Sequence, residues 1–381
     1  MTNANSSSKT FKTTPSCSIL IFVAFLPIAT ALLLYRIDNF NPAPLPDSCL
    51  SWEHVSVHNH NAHALDQTER IGAGILPGPE DIAYDAEEHV VYTSCNDGWI
   101  KRVTVTELVG DVTVQNWAYV GGRPLGIVLT SDKELIVAES DKGLLKVTRD
   151  KDVKLLTAEA EGLKFRLTDG VDVAKNGIIY FTDASSKYNL EQHMFDILEG
   201  RPYGRFMSYD PSTNRTQVLV RDLYFANGVA VSPNQDYVIF CETPLRRCQK
   251  YHIEGENKGK VDMFVDNLPG YPDNIRYDGE DTYYIALASG KTFSWDVLMR
   301  YTWVRKTVGI LSRYVKFPYM LSHSGVVAVN LKGEMIALYT DQALALITVG
   351  IKIENHMYYG ALDVSYIRRI NLTEKYNVAD M

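Results

Sequence analysis

From about residue 71 the chain alternates short apolar runs with turn residues, the pattern of strands that bury one face. Ile82-Ala83-Tyr84 and Val90-Val91-Tyr92-Thr93 read as two strands, with Asp97-Gly98 as the tight turn before Trp99-Ile100. Ile127-Val128-Leu129 and Leu135-Ile136-Val137-Ala138 repeat the pair ahead of Lys142-Gly143. Asn176-Gly177 separates Val171-Asp172-Val173 from Ile178-Ile179-Tyr180-Phe181. Pro233-Asn234 likewise separates Val229-Ala230-Val231 from Tyr237-Val238-Ile239-Phe240. Ile275-Arg276-Tyr277 with Tyr283-Tyr284-Ile285-Ala286, and Ile351-Lys352-Ile353 with Met357-Tyr358-Tyr359-Gly360, complete the series.

Two stretches break this rhythm. Residues 188–200 predict a short helix ended by Gly200. Residues 290–319 hold Lys291, Arg300, Arg305, Lys306, Arg313 and Lys316 against one acid, Asp296. Phe293, Trp295, Tyr301, Trp303, Tyr314, Phe317 and Tyr319 interleave them. Three readings stay open: a lid over a funnel, a helical cap packed on the strands, and a basic aromatic surface resting on a membrane.

Each strand pair opens on one short motif. Pro79-Glu80-Asp81-Ile82, Pro124-Leu125-Gly126-Ile127, Thr168-Asp169-Gly170-Val171, Ala226-Asn227-Gly228-Val229 and Pro272-Asp273-Asn274-Ile275 share it. A small or turn residue is followed by a variable one, then Asp, Gly or Asn, then a β-branched residue. Ile82, Ile127, Val171, Val229 and Ile275 stand 45, 44, 58 and 46 residues apart, and the 188–200 insertion accounts for the longest step. A strand-rich repeat of this length predicts propeller blades. The expected fold is all-β: a six-bladed β-propeller over 71–381 with cap insertions near 188–200 and 290–319. One blade should borrow its fourth strand from the opposite terminus, which closes the ring and hides its edges.

Upstream, residues 1–17 are polar, with Lys9 and Lys12 as the only charged side chains, and read as a cytosolic tail. The seventeen residues from Ile19 to Tyr35 carry no charge. They predict a signal-anchor helix over 18–36, or a cleaved signal, with the positive flank on the cytosolic side. Pro42, Pro44 and Pro46 stiffen a stem over 37–70. His54, His58, His60 and His63 cluster there, as a metal site or as a solvated strand and loop.

Composition narrows the function classes. The chain has 381 residues, 46% of them hydrophobic, enough for a large core. A net charge of −8 argues against a nucleic-acid partner. Five Cys are too few for a disulfide scaffold; Cys241 and Cys248 flank the hairpin turn Glu242–Arg247, where they either pair or remain buried thiols. Asn214-Arg215-Thr216 and Asn371-Leu372-Thr373 are glycosylation sequons, which matter if the propeller is luminal.

The second motif position carries the chemistry. Inner strands of a propeller start at a central channel, so Glu80, Leu125, Asp169, Asn227 and Asp273 should ring its axis. Side-chain oxygens from four directions suit a hard divalent cation such as Ca²⁺, with water filling the remaining positions. Converging carboxylates repel one another, so the site needs a positive charge or bound protons.

These motifs, with Tyr180-Phe181-Thr182-Asp183-Ala184-Ser185-Ser186-Lys187 and Leu268-Pro269-Gly270-Tyr271-Pro272-Asp273-Asn274-Ile275-Arg276, resemble the strictosidine synthase-like family over about residues 70–372. The likeness points first to its adipocyte plasma membrane-associated protein branch, which has an N-terminal anchor and an insertion after blade five. The wider group contains Ca²⁺-dependent hydrolases of lactones and esters. Their ligands, a Glu, two Asn and an Asp, would fall on Glu80, Asp169, Asn227 and Asp273, with Asp169 replacing an Asn. The resemblance therefore implies an arylesterase- or lactonase-like hydrolase in which Asp273 is catalytic as base or nucleophile. It implies a small ester, lactone or alkaloid-like substrate and a place in the endomembrane system, the vacuole or the cell exterior. Strictosidine synthase itself condenses an amine with an aldehyde through one Glu in the last blade. Here that position falls on Val349 or Gly350, with Glu354 nearby, so the reaction is not expected; a non-catalytic, membrane-anchored binding propeller is the other alternative to the hydrolase.

Overall fold

The computed structural model describes residues 29–373, except 31, 34, 51–56, 58, 62–64, 66–67, 107–110 and 316–320. The predicted tail, most of the predicted anchor, His54, His58, His63, Lys316, Phe317 and Tyr319 lie outside the described residues. Among the described residues no helix is long and apolar enough to cross a membrane.

Six antiparallel sheets surround one axis. Blade one is Ile82–Asp85, Val90–Ser94, Trp99–Thr104 and Val114–Tyr119. Blade two runs from Pro124–Leu129 to Val153–Thr157, blade three from Thr168–Val173 to Arg215–Leu223, and blade four from Ala226–Val231 to Val261–Val265. Blade five holds Gly270–Tyr277, Thr282–Gly290, Ser324–Asn330 and Met335–Asp341. Blade six holds Ile347–Ile353, His356–Ala361 and Ile367–Asn371.

The ring closes as expected, because the outer strand of blade six is Glu69–Ile71 from the N-terminal side, antiparallel to Ile367–Asn371. A further strand was not foreseen. Asn59–Asn61 adds in parallel to the outer edge of blade five, and His60 Nε2 lies 3.0 Å from Thr340 Oγ1. His60 therefore sits in an exposed edge strand. The strands of the fold begin before residue 71.

Blades pack face to face through six clusters of buried apolar side chains. Ala83, Tyr92 and Ile100 of blade one meet Ile127, Val137 and Leu145 of blade two. Ile71, Ile351 and Ile367 meet Ile82, Val91 and Val103 where the ring closes. Burial is thus distributed over repeated interfaces, which lets one domain grow past the size of a single core. Cys241 and Cys248 stand opposite one another on adjacent strands of blade four and form a disulfide with no exposure.

Both insertions connect the second and third strands of a blade. Residues 188–200 form a single turn and helix α1 (His193–Glu199), stopped by Gly200 at φ 60°. The larger one forms α2 (Phe293–Arg300) and α3 (Thr302–Leu311). It lies within blade five, between Thr282–Gly290 and Ser324–Asn330, rather than after it. Phe40 and Leu45 from the stem, Leu198 from α1, and Trp295, Leu298 and Met299 from α2 form one buried cluster over the blades. The guanidinium of Arg305, fully buried on α3, donates to the carbonyls of Leu198 and Ala43. The insertions and stem are one packed cap.

Candidate active site

A bulge opens the inner strands of blades two to five. In blade three Thr168 pairs with Asp183 and Val171 with Phe181, so the inner strand carries one extra residue. Pro124 and Ile127, Ala226 and Val229, and Pro272 and Ile275 make the same step. A bulge turns a side chain out of the ladder. Here the second motif residues come together. Glu80, Leu125, Asp169, Asn227 and Asp273 line one cavity of about 280 Å³. All are buried; Asp273, the most exposed of them, is at 9%.

Glycine at the third motif position follows from how tightly the inner strands meet. A Cβ at Gly170 would stand 2.5 Å from the carbonyl oxygen of Asn227, and one at Gly228 2.4 Å from that of Asp273. Only a residue without a side chain tolerates that approach. Hydroxyls fix the ring residues' backbone from behind. Thr182 Oγ1 donates to the Asn227 carbonyl at 2.8 Å, and Ser94 Oγ to that of Leu125 at 2.6 Å.

Blade six contributes Thr348, which follows a similar register shift and lines the cavity. Its Oγ1 donates to the Glu80 carbonyl at 2.7 Å. The sequence register puts this position on Val349 or Gly350. Val349 is buried in the core between blades six and one, and Gly350 packs against Val326. Glu354 sits in the hairpin turn between Ile353 and His356, at the far end of the strand. None of the three lines this cavity.

The ring's polar atoms are incompletely bonded. Glu80 Oε1 accepts from Asn274 Nδ2 at 2.8 Å, but Oε2 is buried with no hydrogen-bond partner. Asn227 Nδ2 reaches Thr243 Oγ1 at 3.4 Å, while its Oδ1 is buried and unbonded. Buried oxygens without donors are costly. Burial, then the charges of Asp81, Asp273 and Asp169, push Glu80 well above the carboxylate range. Burial and the charge of Asp273 do the same to Asp169. Burial pushes Asp273 up to about 7, against a hydrogen bond from Asn227.

Two nearby groups were not singled out from the sequence. Arg123, two residues before Leu125, the apolar residue at the second motif position, lowers the pKa of both Glu80 and Asp169. It donates to the Gly78 carbonyl at 2.9 Å, and its Nη1 is buried without a partner. It partly offsets two of the three carboxylates, Glu80 and Asp169. His193 of α1 lines the same cavity, with Nδ1 2.7 Å from the Leu190 carbonyl. A carbonyl only accepts, so Nδ1 carries the proton and Nε2 the lone pair. Burial lowers the His193 pKa, which favours the neutral ring.

The remaining walls are apolar: Leu167, Phe225 and Leu346 from the blades, and Met194, Trp295 and Met299 from the cap. Among the described residues no three His, Cys, Asp or Glu side chains gather closely enough to make a ready metal cluster from those types alone. The wider set still fits a hard cation by its chemistry. It offers three carboxylates and an amide oxygen, two of whose atoms are buried with nothing to bond. The arrangement is an oxygen-lined floor under an apolar chamber.

Family models match in two segments: "Strictosidine synthase" over residues 169–256 and "Strictosidine synthase-like, N-terminal" over residues 57–103. Protein STRICTOSIDINE SYNTHASE-LIKE 6 of Arabidopsis thaliana is 49% identical over 359 residues, covering 94% of this chain and 96% of the relative. Adipocyte plasma membrane-associated protein of Bos taurus is 30% identical over 379 residues, covering 93% and 90%. The plant proteins are thus nearer than the branch to which the motifs first pointed. A gluconolactonase from Xanthomonas campestris superposes with a TM-score of 0.56 at 13% identity, covering 81% of this chain and 91% of that one. Regucalcin from Agrobacterium tumefaciens, described as calcium-binding, gives 0.55 at 14%, covering 83% and 95%. These structures share the fold. By sequence, the chain belongs to the strictosidine synthase-like family.

Proposed function

We propose that this protein is a metal-dependent hydrolase of small esters or lactones. The observation that carries the reading is the incompletely bonded oxygen ring at the floor of an apolar cavity. Glu80, Asp169, Asn227 and Asp273 would hold a divalent cation, Ca²⁺ being the best match to an all-oxygen set. Such an ion supplies electrophilic stabilisation of the carbonyl oxygen undergoing attack. Asp273, the most exposed of the four, takes the proton of the attacking water. His193 Nε2 is the second group on the wall able to accept a proton. The apolar walls seat the acyl or ring portion and exclude bulk water. Gluconolactonase and calcium-binding neighbours are consistent with this reading. Amine–aldehyde condensation is not favoured, because blade six offers the hydroxyl of Thr348 where a proton-handling carboxylate is required.

We place the propeller in the lumen of the secretory pathway, tethered by residues 18–36. Asn214 lies on an exposed turn of blade three, and Asn371 ends the third strand of blade six. A glycosidase-sensitive mass shift lost in Asn214→Gln and Asn371→Gln would support that placement; a cytosolic, unmodified protein would oppose it.

The activity test is hydrolysis of an arylester and lactone panel by the purified protein, with and without chelator. The account expects turnover that chelator abolishes and Ca²⁺ restores. Turnover indifferent to both chelator and Asp273→Ala would remove the mechanism.

A further inference from the structure

We propose that the cap rests on a lipid bilayer bearing anionic headgroups, and that α3 is the principal contact. One face of α3 is spent on the protein: Arg305 and Gly309 are buried, Gly309 beneath the ring of Phe40. The opposite stripe and its continuation carry Trp303, Leu311 and Tyr314, with Trp303 62% and Tyr314 81% exposed. Positions 303, 307 and 311 follow one helix face, and Tyr314 stands in the turn that ends it. Phe293, at the start of α2, is 75% exposed. Aromatic side chains concentrated outward on one element are uncommon on a surface that meets only water.

The charge pattern selects the occupant. No Asp or Glu occurs between Asp296 and Glu334, in a chain whose net charge is −8. Lys306 and Arg313 flank the stripe and are shared with the stem: Lys306 donates to the Asp38 carbonyl, and Arg313 pairs with the Asp38 carboxylate while its side chain stays 41% exposed.

Chain continuity points the same way. The uncharged run Ile19–Tyr35 ends on this cap. Lys306 Nζ lies 4.9 Å from the centre of the Tyr35 ring, and Arg313 pairs with Asp38 at 2.6 Å. Leu32, Leu33 and Ile37 beside them are exposed. If residues 18–36 enter a bilayer, α3 is held at its surface. Trp295 and Met299 line the cavity and belong to α2, the helix that leads directly into α3; we propose further that substrate enters past α2 from the lipid. This last step rests on the hydrolase reading; the docking surface does not.

The test uses the full chain reconstituted in vesicles of phosphatidylcholine with phosphatidylserine, against vesicles of brominated lipid. The difference between wild type and Trp303→Phe isolates Trp303 fluorescence. The account expects that component to be quenched by bromine and shielded from aqueous iodide. Quenching by iodide but not by bromine would overturn it, as would shielding that persists in detergent through self-association seen by sedimentation. As a second measurement, Trp303→Asp, Leu311→Asp and Tyr314→Asp together should raise KM roughly tenfold for a membrane-dissolved ester and leave a water-soluble ester unchanged. An equal effect on both esters would refute entry from the lipid. A protein without esterase activity would still give the quenching result, so the two failures are distinguishable.

Discussion

The inner strands present carboxylates at two places, and the two are treated oppositely. Glu80 and Asp81 are neighbours in sequence, yet Asp81 is fully engaged. It accepts from the backbone N–H groups of Ile82 at 2.8 Å and Ile127 at 2.7 Å, and pairs with Arg276. Further along the same strands Asp172 accepts from the Val173 and Val231 amides. Burial raises Asp81 as well, but three partners oppose it. Glu80, one residue earlier, has an oxygen with no donor and three acidic neighbours. Asp81 and Asp172 each have their oxygens bonded within the blades, and Asp172 lies close enough to feel the charges of Arg276 and Asp81. The Glu80 ring is left open, in the condition expected of a site that completes itself with a ligand.

That contrast can be broken in several ways. The largest effect should come from Asp273→Ala, with hydrolysis falling by about 10²–10⁴ while thermal unfolding stays cooperative; steady-state kinetics checks this. Arg276→Met should do the reverse. Removing one partner of a buried pair costs about 3–5 kcal/mol, read as a lowered melting temperature, with the remaining activity per folded molecule intact. If Arg276→Met leaves stability unchanged, Asp81 is not held as described.

Glu80→Gln sharpens the comparison further. It removes a buried acid whose charged form is disfavoured, so in chelator it should melt higher than wild type as pH rises toward the raised carboxyl pKa, yet gain nothing from added Ca²⁺. Scanning calorimetry in both buffers reads the two signs. A smaller effect concerns Asp196, buried on α1 within the cap, whose pKa burial raises to about 7. An acid whose folded pKa is raised contributes stability fully present below about pH 4 and lost as pH climbs through 7. The Asp196→Asn protein should therefore lose part of the decline in melting temperature between pH 5 and 8.

Much of this was legible in the chain because it is local. The motif repeats, the β-branched residue that opens each strand, the Gly200 stop and the Cys241–Cys248 spacing are written within a few residues. The second motif position does line one cavity, since the bulge that aims it is a property of the same short stretch. What was missed depends on distant partners. Thr348 lacks the Asp, Asn or Gly that marked the other blades, so the register slid to Val349. Arg123 lies outside the motif and matters only because blades one and two bring it to Glu80. His193 reaches the cavity only when the cap folds over it. Asn59–Asn61 has no apolar alternation to announce a strand; its pairing is set by the open edge of blade five.

The most direct test is a calcium titration of the purified protein by calorimetry, with the bound metal counted after dialysis. The account predicts one ion per chain and, at a hundredfold excess over Kd, stabilisation of about 2.7 kcal/mol, both lost in Glu80→Gln and Asp169→Ala. A protein that takes up no divalent ion and melts identically in calcium and in chelator would contradict it.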